Sequence, residues 1–219
     1  TGIGCANNHA PMWPASDDDA DVGATKLFDA LWNGMFMEPM LLGRYPADLA
    51  PLMEELVHEG DMADLRQPLD FYGVNYYNPI KVAAAPDDAP MPFEMLDLLG
   101  YPTTDFGWPI VPDALREWLI LFRARYRAAL PPIYITESGC SYADGPDEHG
   151  VVDDQRRIDY LEAHVGAVAT AIQRGVDIRG YYTWSLMDNF EWAEGFTQRF
   201  GLVHVDYDTL VRTPKKSFQ

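Results

Sequence analysis

Ile133-Tyr134-Ile135-Thr136-Glu137-Ser138-Gly139 is the stretch on which the fold turns. Its β-branched and aromatic residues follow Pro131-Pro132 and halt at a glycine, the pattern of a short buried strand. A carboxylate therefore stands where a strand opens into a loop. In a parallel α/β barrel that position is the mouth where catalytic groups gather. A plain loop carboxylate is the alternative, and this stretch alone does not decide between them.

Working outward, the chain alternates strand and helix. Apolar, β-rich runs predict strands near residues 2–6, 70–76, 133–136 and 179–184. Helical spacing of apolar residues predicts helices over 17–33, 35–42, 46–60, 112–126 and 153–174. Ser16 is the expected cap of the first. Leu49, Leu52, Met53, Leu56 and Val57 form one side of the third, and Gly60 stops it. The last carries Ile158, Leu161, Val165, Val168 and Ile172 on its expected buried stripe. Asn7-Asn8-His9 opens a polar loop, and residues 78–109, rich in Pro, Asp and Gly, read as one long rim loop. A segment near residues 200–207 reads as an outlying hairpin arm. Strands and helices in this order suit right-handed βαβ units in a parallel sheet. Four strands are half of a (β/α)8 barrel, which usually needs about 250 residues; the chain has 219.

Trp184-Ser185-Leu186-Met187-Asp188-Asn189-Phe190-Glu191-Trp192 follows the last strand. Indole rings stack on the apolar faces of sugars, and carboxylates bind hydroxyl pairs; core aromatics and a capping Asp are the competing reading. Further stretches stand out: Gly43-Arg44-Tyr45-Pro46, Phe71-Tyr72-Gly73-Val74-Asn75-Tyr76-Tyr77 and Arg199-Phe200-Gly201-Leu202-Val203-His204-Val205-Asp206-Tyr207. Together, in this order, they resemble glycoside hydrolase family 1, the β-glucosidase family, from near residue 1 to about Ser217.

The resemblance implies an α/β fold, a (β/α)8 TIM barrel of which the chain carries the C-terminal half, strands five to eight, as one unit over 1–219. It implies a retaining β-glycosidase that hydrolyses terminal β-D-glucosides or related glycosides through a covalent glycosyl-enzyme intermediate. Glu137 matches the nucleophile. Tyr77 is expected to donate a hydrogen bond to it, with Asn75 supporting the same corner. Trp184, Glu191 and Trp192 match the sugar-binding set: Trp184 beneath the ring, Glu191 on two hydroxyls, and Phe200 completing the wall. Trp108 is a candidate contact for the outer part of a substrate, or a packed surface indole. Asp188 and Asn189 are expected to brace the loop. Ser138-Gly139 departs from the family's usual Asn-Gly; a Ser still makes a turn hydrogen bond. The family's Asn-Glu-Pro motif, bearing the acid/base, does not occur; Glu38-Pro39 follows Met37 within a predicted helix. Family members also continue past Lys215-Lys216-Ser217. The expected partners are a sugar substrate and either the missing N-terminal half-barrel or a second copy. The alternative is a half-barrel that binds sugar or itself without hydrolysis.

The remaining features narrow the range of functions. A net charge of −18 makes nucleic acid a poor partner. No 18-residue apolar run predicts a membrane span. His9, His58, His149, His164 and His204 are scattered, without metal-ligand spacing, and no phosphate-cradling Gly loop occurs, so no cofactor is expected. His164 is placed on a helix flank. Cys5 and Cys140 are read as free thiols, which suggests a cytoplasmic protein.

Overall fold

The computed structural model describes residues 2–219; Thr1 lies outside them. β1 (Gly4–His9) and β2 (Met12–Pro14) lead into α1 (Asp19–Asp29), a π-helical turn at Ala30–Gly34 and α2 (Met35–Leu42). Short helices α3 (Ala50–Met53) and α4 (Asp61–Leu65) precede β3 (Phe71–Tyr76), β4 (Ile80–Ala84) and β5 (Phe93–Leu96). Then follow α5 (Pro112–Tyr126), β6 (Ile133–Ser138), α6 (Gln155–Gln173), β7 (Ile178–Thr183), β8 (Val203–Val205) and β9 (Arg212–Pro214). The main sheet runs β1-β3-β6-β7, with every neighbouring pair parallel. The four expected strands are therefore present and adjacent, as in one half of a (β/α)8 barrel.

Period-two alternation divides the sheet's two faces. Tyr72, Val74, Tyr76, Ile133 and Ile135 are fully buried against Leu115, Leu119 and Phe122 of α5 and Val168 and Ala171 of α6. The opposite face carries Ala6, Gly73, Asn75, Tyr134 and Thr136. At β6 the alternation breaks. Val74 pairs with Ile135 but Asn75 pairs with Glu137, leaving Thr136 as an extra residue in β6. Such a bulge re-aims side chains. Ile135 and Ser138 both become buried, and Glu137 turns to the strand-end mouth.

Several expectations are corrected. Asn7, Asn8 and His9 continue β1 and do not open a loop, because Asn7 donates to the Tyr72 hydroxyl and His9 bonds both that hydroxyl and Asn33. The 46–60 helix breaks into the single turn α3, and Leu52 and Leu56 are two-thirds exposed; Pro46 and Pro51 interrupt the pattern. Gly60, at φ 101°, introduces α4. The capping position before α1 is Asp18, not Ser16; Ser16 accepts the Asp18 N–H and donates to Asp21. Within the long rim segment, β4 and β5 join β2 in a second, three-stranded sheet anchored by Phe93 on Phe28, ring centroids 4.6 Å apart. Pro-rich flanks hid those short strands. The buried face of α6 is rotated from the expected stripe: Arg157, Tyr160, His164, Ala167 and Ala171 are inside, while Val165 and Ile172 are nearly half exposed. Arg157 sets that rotation by bonding the Cys140 carbonyl and Asp144. His164 is not on a flank; it is fully buried, stacked 3.8 Å from Tyr160. The hairpin arm is β8 paired antiparallel with β9. Cys5 and Cys140 are both free, Cys5 on β1 and Cys140 in the loop just after β6. Among the described residues no helix is long and apolar enough to cross a membrane.

Leu119→Ala should lower unfolding free energy by about 2–5 kcal/mol, because it empties a fully buried site. Ile172→Ala should change it by less than about 1 kcal/mol, since that side chain is half exposed; urea unfolding of the two variants measures both. Burial lowers the pKa of His9 and of His164 from 6.5 to about 4. Between those values the unfolded chain binds protons that the folded chain does not, so stability falls as pH drops from about 6.5 toward 4. Replacing both with Gln should flatten that part of the stability–pH curve.

Candidate active site

The strand ends of β3, β6 and β7 open into a cleft of about 930 Å³. Asn75, Tyr77, Trp108, Glu137, Trp184, Glu191 and Trp192 line it together. Seven of the residues singled out from sequence, drawn from separate segments, thus meet in one hollow. Phe200 does not line it. It is buried behind the wall, with ring centroids 6.2 Å from Tyr77 and 5.9 Å from Trp108. Its part is to hold those two rings in place. A wider depression of 1140 Å³ lies among α1, α2 and α3, where Glu38 already accepts from Arg125 and Tyr126; it is remote from the strand-end cluster.

Glu137 sits at the centre. The Tyr77 hydroxyl donates to its Oε2 at 2.7 Å. Thr136, the bulged residue, donates to Asn75 Oδ1 at 2.6 Å, which ties β3 to β6 beside the carboxylate. Burial and the neighbouring Glu137 charge push the Tyr77 phenol well above its ordinary pKa, so it stays protonated and remains a donor. Burial is also the main cause raising the Glu191 pKa, with a smaller contribution from the Glu137 charge; the Trp184 Nε1 donor, 3.4 Å from Glu191 Oε2, opposes it.

The local backbone follows from close contacts. A Cβ on Gly139 would lie 1.9 Å from the Trp184 carbonyl oxygen, so only glycine lets the loop after Glu137 pass the loop after β7. The Trp184–Ser185 peptide is cis. Trp192 adopts φ 42°, an unusual conformation for a bulky residue, and holds its indole 82% exposed over the cleft. Backbone held in such a region is common at ligand sites. Ser138 makes no turn bond. Its hydroxyl is buried, 3.4 Å from the Tyr160 hydroxyl, and so faces α6.

Asp188 braces the aromatic loop as expected, accepting from the Gly201 and Val205 N–H groups. Asn189 donates to Ser185 Oγ and the Met187 carbonyl. What sequence reading missed is the charge network behind Asp188. Arg199 and the fully buried Lys215 both bond it, and Lys215 also reaches Asp144, which Arg157 bonds in turn. No spacing announces it, because its members lie up to 71 residues apart. His9, Asn8 and Trp32 also line the cleft without a sequence signal, the first two because Asn7-Asn8-His9 reads as a polar loop. Among the described residues no cluster of three metal-ligating side chains occurs.

Comparison with known proteins places the chain in a family. The family described as Glycosyl hydrolase family 1 matches residues 1–219. A beta-glucosidase from Agrobacterium sp. is 43% identical over 223 residues, covering 98% of this chain and 47% of that protein. A beta-glucosidase from Thermotoga maritima, solved in complex with deoxynojirimycin, superposes with a TM-score of 0.91 at 39% identity, covering 99% of this chain and 49% of that one. The beta-glucosidase from Exiguobacterium antarcticum B7 superposes with a TM-score of 0.93 at 36% identity, covering all of this chain and 49% of that one. The chain thus spans about half the length of the relatives it matches, and it belongs to glycosyl hydrolase family 1.

Proposed function

We propose that this chain supplies the nucleophile half of a retaining β-glycosidase acting on terminal β-D-glucosides or β-D-galactosides. The Tyr77–Glu137 hydrogen bond at the cleft floor carries the reading. Glu137 attacks the anomeric carbon while the glycosidic C–O bond breaks, giving a covalent glycosyl ester. A second carboxyl, about 5–5.5 Å away in retaining enzymes, protonates the leaving oxygen and then activates the water that hydrolyses the ester. Tyr77 and Asn75 orient the nucleophile. Trp184 stacks beneath the sugar, Glu191 accepts from two hydroxyls, Trp192 closes the inner end, and Trp108 meets the outer part of the substrate. Phe200 supports Tyr77 and Trp108 from behind. The beta-glucosidases similar to this chain, one of them bound to deoxynojirimycin, support a sugar ligand.

The carboxylates lining the described cleft are Glu137, Glu191 and Asp97. Glu191 is held by Trp184, which leaves the acid/base to a second half-barrel. β1 and β7 stand at the two ends of the sheet, where a complementary half or another copy of this chain would add strands. The same carboxylate inventory favours a second reading for the chain by itself, sugar binding or self-association without turnover. Two unbridged thiols fit a reducing compartment, and we place the protein in the cytoplasm.

The isolated chain should show negligible release of a chromogenic aglycone. Mixing it with a half-barrel fragment bearing the strand-four Glu should restore release, and Glu137→Ala should reduce the restored rate about a thousandfold or more. Recovery that survives Glu137→Ala would sink the assignment of the nucleophile. Glu191 provides a separate test. Its raised pKa means that, above the usual carboxylate range, folding must hold a charge the site disfavours. Glu191→Gln should therefore unfold at a higher temperature than the parent at pH 7, with the gap closing as pH falls through that range, and should bind glucosides less well.

A further inference from the structure

We propose that Lys215, which lies outside the cleft, is a positioning residue for it: from behind, its ammonium ties the loop after β7 to the loop after β6 and so fixes Trp184 and Glu191 relative to Glu137; this rests on reading those three side chains as a sugar site. Lys215 is fully buried, a state lysine adopts only when paired. Its Nζ lies 2.6 Å from Asp144 and 3.3 Å from Asp188. Asp144 belongs to the segment that follows β6 and Glu137. Asp188 stands between Trp184 and Glu191. One cation thus bonds both loops that bring carboxylates to the cleft.

The tie is reinforced and balanced. Arg157 of α6 donates to the Cys140 carbonyl at 2.9 Å and, through its other terminal nitrogen, to Asp144 and to the Arg199 carbonyl. Arg199 bonds Asp188 at 2.7 Å, and Asp154 lies 3.1 Å from Arg157. Three cations therefore face three carboxylates, and the buried charges cancel. The backbone of Lys215 is itself anchored. Its N–H donates to the Leu202 carbonyl, and Ser217 donates to both oxygens of Asp154. The aromatic-acid loop has little apolar anchorage of its own, since Leu186, Phe190 and Trp192 are all more than half exposed. A segment with so few buried contacts opens easily unless polar ties hold it. Without the ammonium, Asp144 and Asp188 keep a buried negative charge that nothing cancels. Movement of the loop toward water relieves that charge, and it carries Trp184 and Glu191 away from Glu137.

Lys215→Met alone strands a buried charge and risks the fold. Asp144→Asn combined with Lys215→Met removes one charge of each sign, leaves the remaining charges paired, and cuts the same tie. Hydrogen exchange is read at the Trp184, Ser185 and Asp188 amides, which bond the Ser138, Phe200 and Val203 carbonyls. In the double variant these amides should exchange about tenfold faster or more, while those of β3 and α5 stay within about twofold of the parent. Calorimetric titration with phenyl β-D-glucoside should show an affinity about tenfold lower, because the loop must then be ordered on binding. Leu119→Ala, which loosens the core away from the network, should leave that affinity within about twofold. Unchanged exchange at the three amides overturns the proposal, and so does unchanged affinity; in both cases the sugar-site reading stands. An equal loss of affinity in Leu119→Ala marks a general effect of stability and also overturns it. If the parent chain does not bind the glucoside, the sugar-site reading fails and the proposal with it.

Discussion

One extra residue in β6 governs the site. Thr136 has no partner in the register between β3 and β6, and its insertion moves Glu137 out of the phase set by Ile133 and Ile135. In an unbroken strand, Glu137 would share the face of Ile135, pressed against the helices. The bulge sends Glu137 to the mouth and Ser138 inward. It also gives Thr136 the position from which its hydroxyl bonds Asn75. The nucleophile candidate, its Tyr77 donor and the Asn75 corner therefore share one geometric cause. A carboxylate beside apolar helices would be costly to charge; at the mouth it meets solvent on one side and a fixed phenol on the other.

The second constraint is the approach of two loops. Gly139 passes the Trp184 carbonyl at a distance no side chain allows, and Gly201 does the same at the backbone of Met187 and Asp188. These contacts bring the aromatic-acid loop against the strand that bears Glu137. Behind them, Lys215, Arg199, Arg157, Asp144 and Asp188 interlock in a largely buried charge network. Removing one member of such a network strands the charge of another, which is strongly destabilising. The C-terminal segment is in this way part of the support of the aromatic-acid loop, although it contributes nothing to the lining of the cleft.

Much of the architecture was legible because apolar periodicity reports directly on burial. The four strands of the main sheet and α5 followed from it. Where periodicity failed, a local rule had been outweighed. On α6, Arg157 is buried and Val165 and Ile172 are left half exposed, because hydrogen bonds to Cys140 and Asp144 set the rotation of the helix. Around β2, β4 and β5, short strands next to prolines carry too little pattern to be seen, and their pairing is settled by contacts between segments far apart in the chain. The site residues were legible as motifs, and all but Phe200 line the cleft. His9 was hidden because Asn7-Asn8-His9 looks like a polar loop; its burial depends on Asn33 and Tyr72, 24 and 63 residues away.

The amino-acid sequence by itself determined the alternation of strands and helices, the acidic charge, and the identities of the carboxylates and indoles, since each is local or a sum over residues. The tertiary structure alone decided which way Glu137 points, that Phe200 stands behind the cleft, and that Lys215 is buried. The physical reason is the same in each case. Register, rotation and burial are set by pairing and packing across long stretches of chain, and no window of neighbouring residues contains the partner that fixes them.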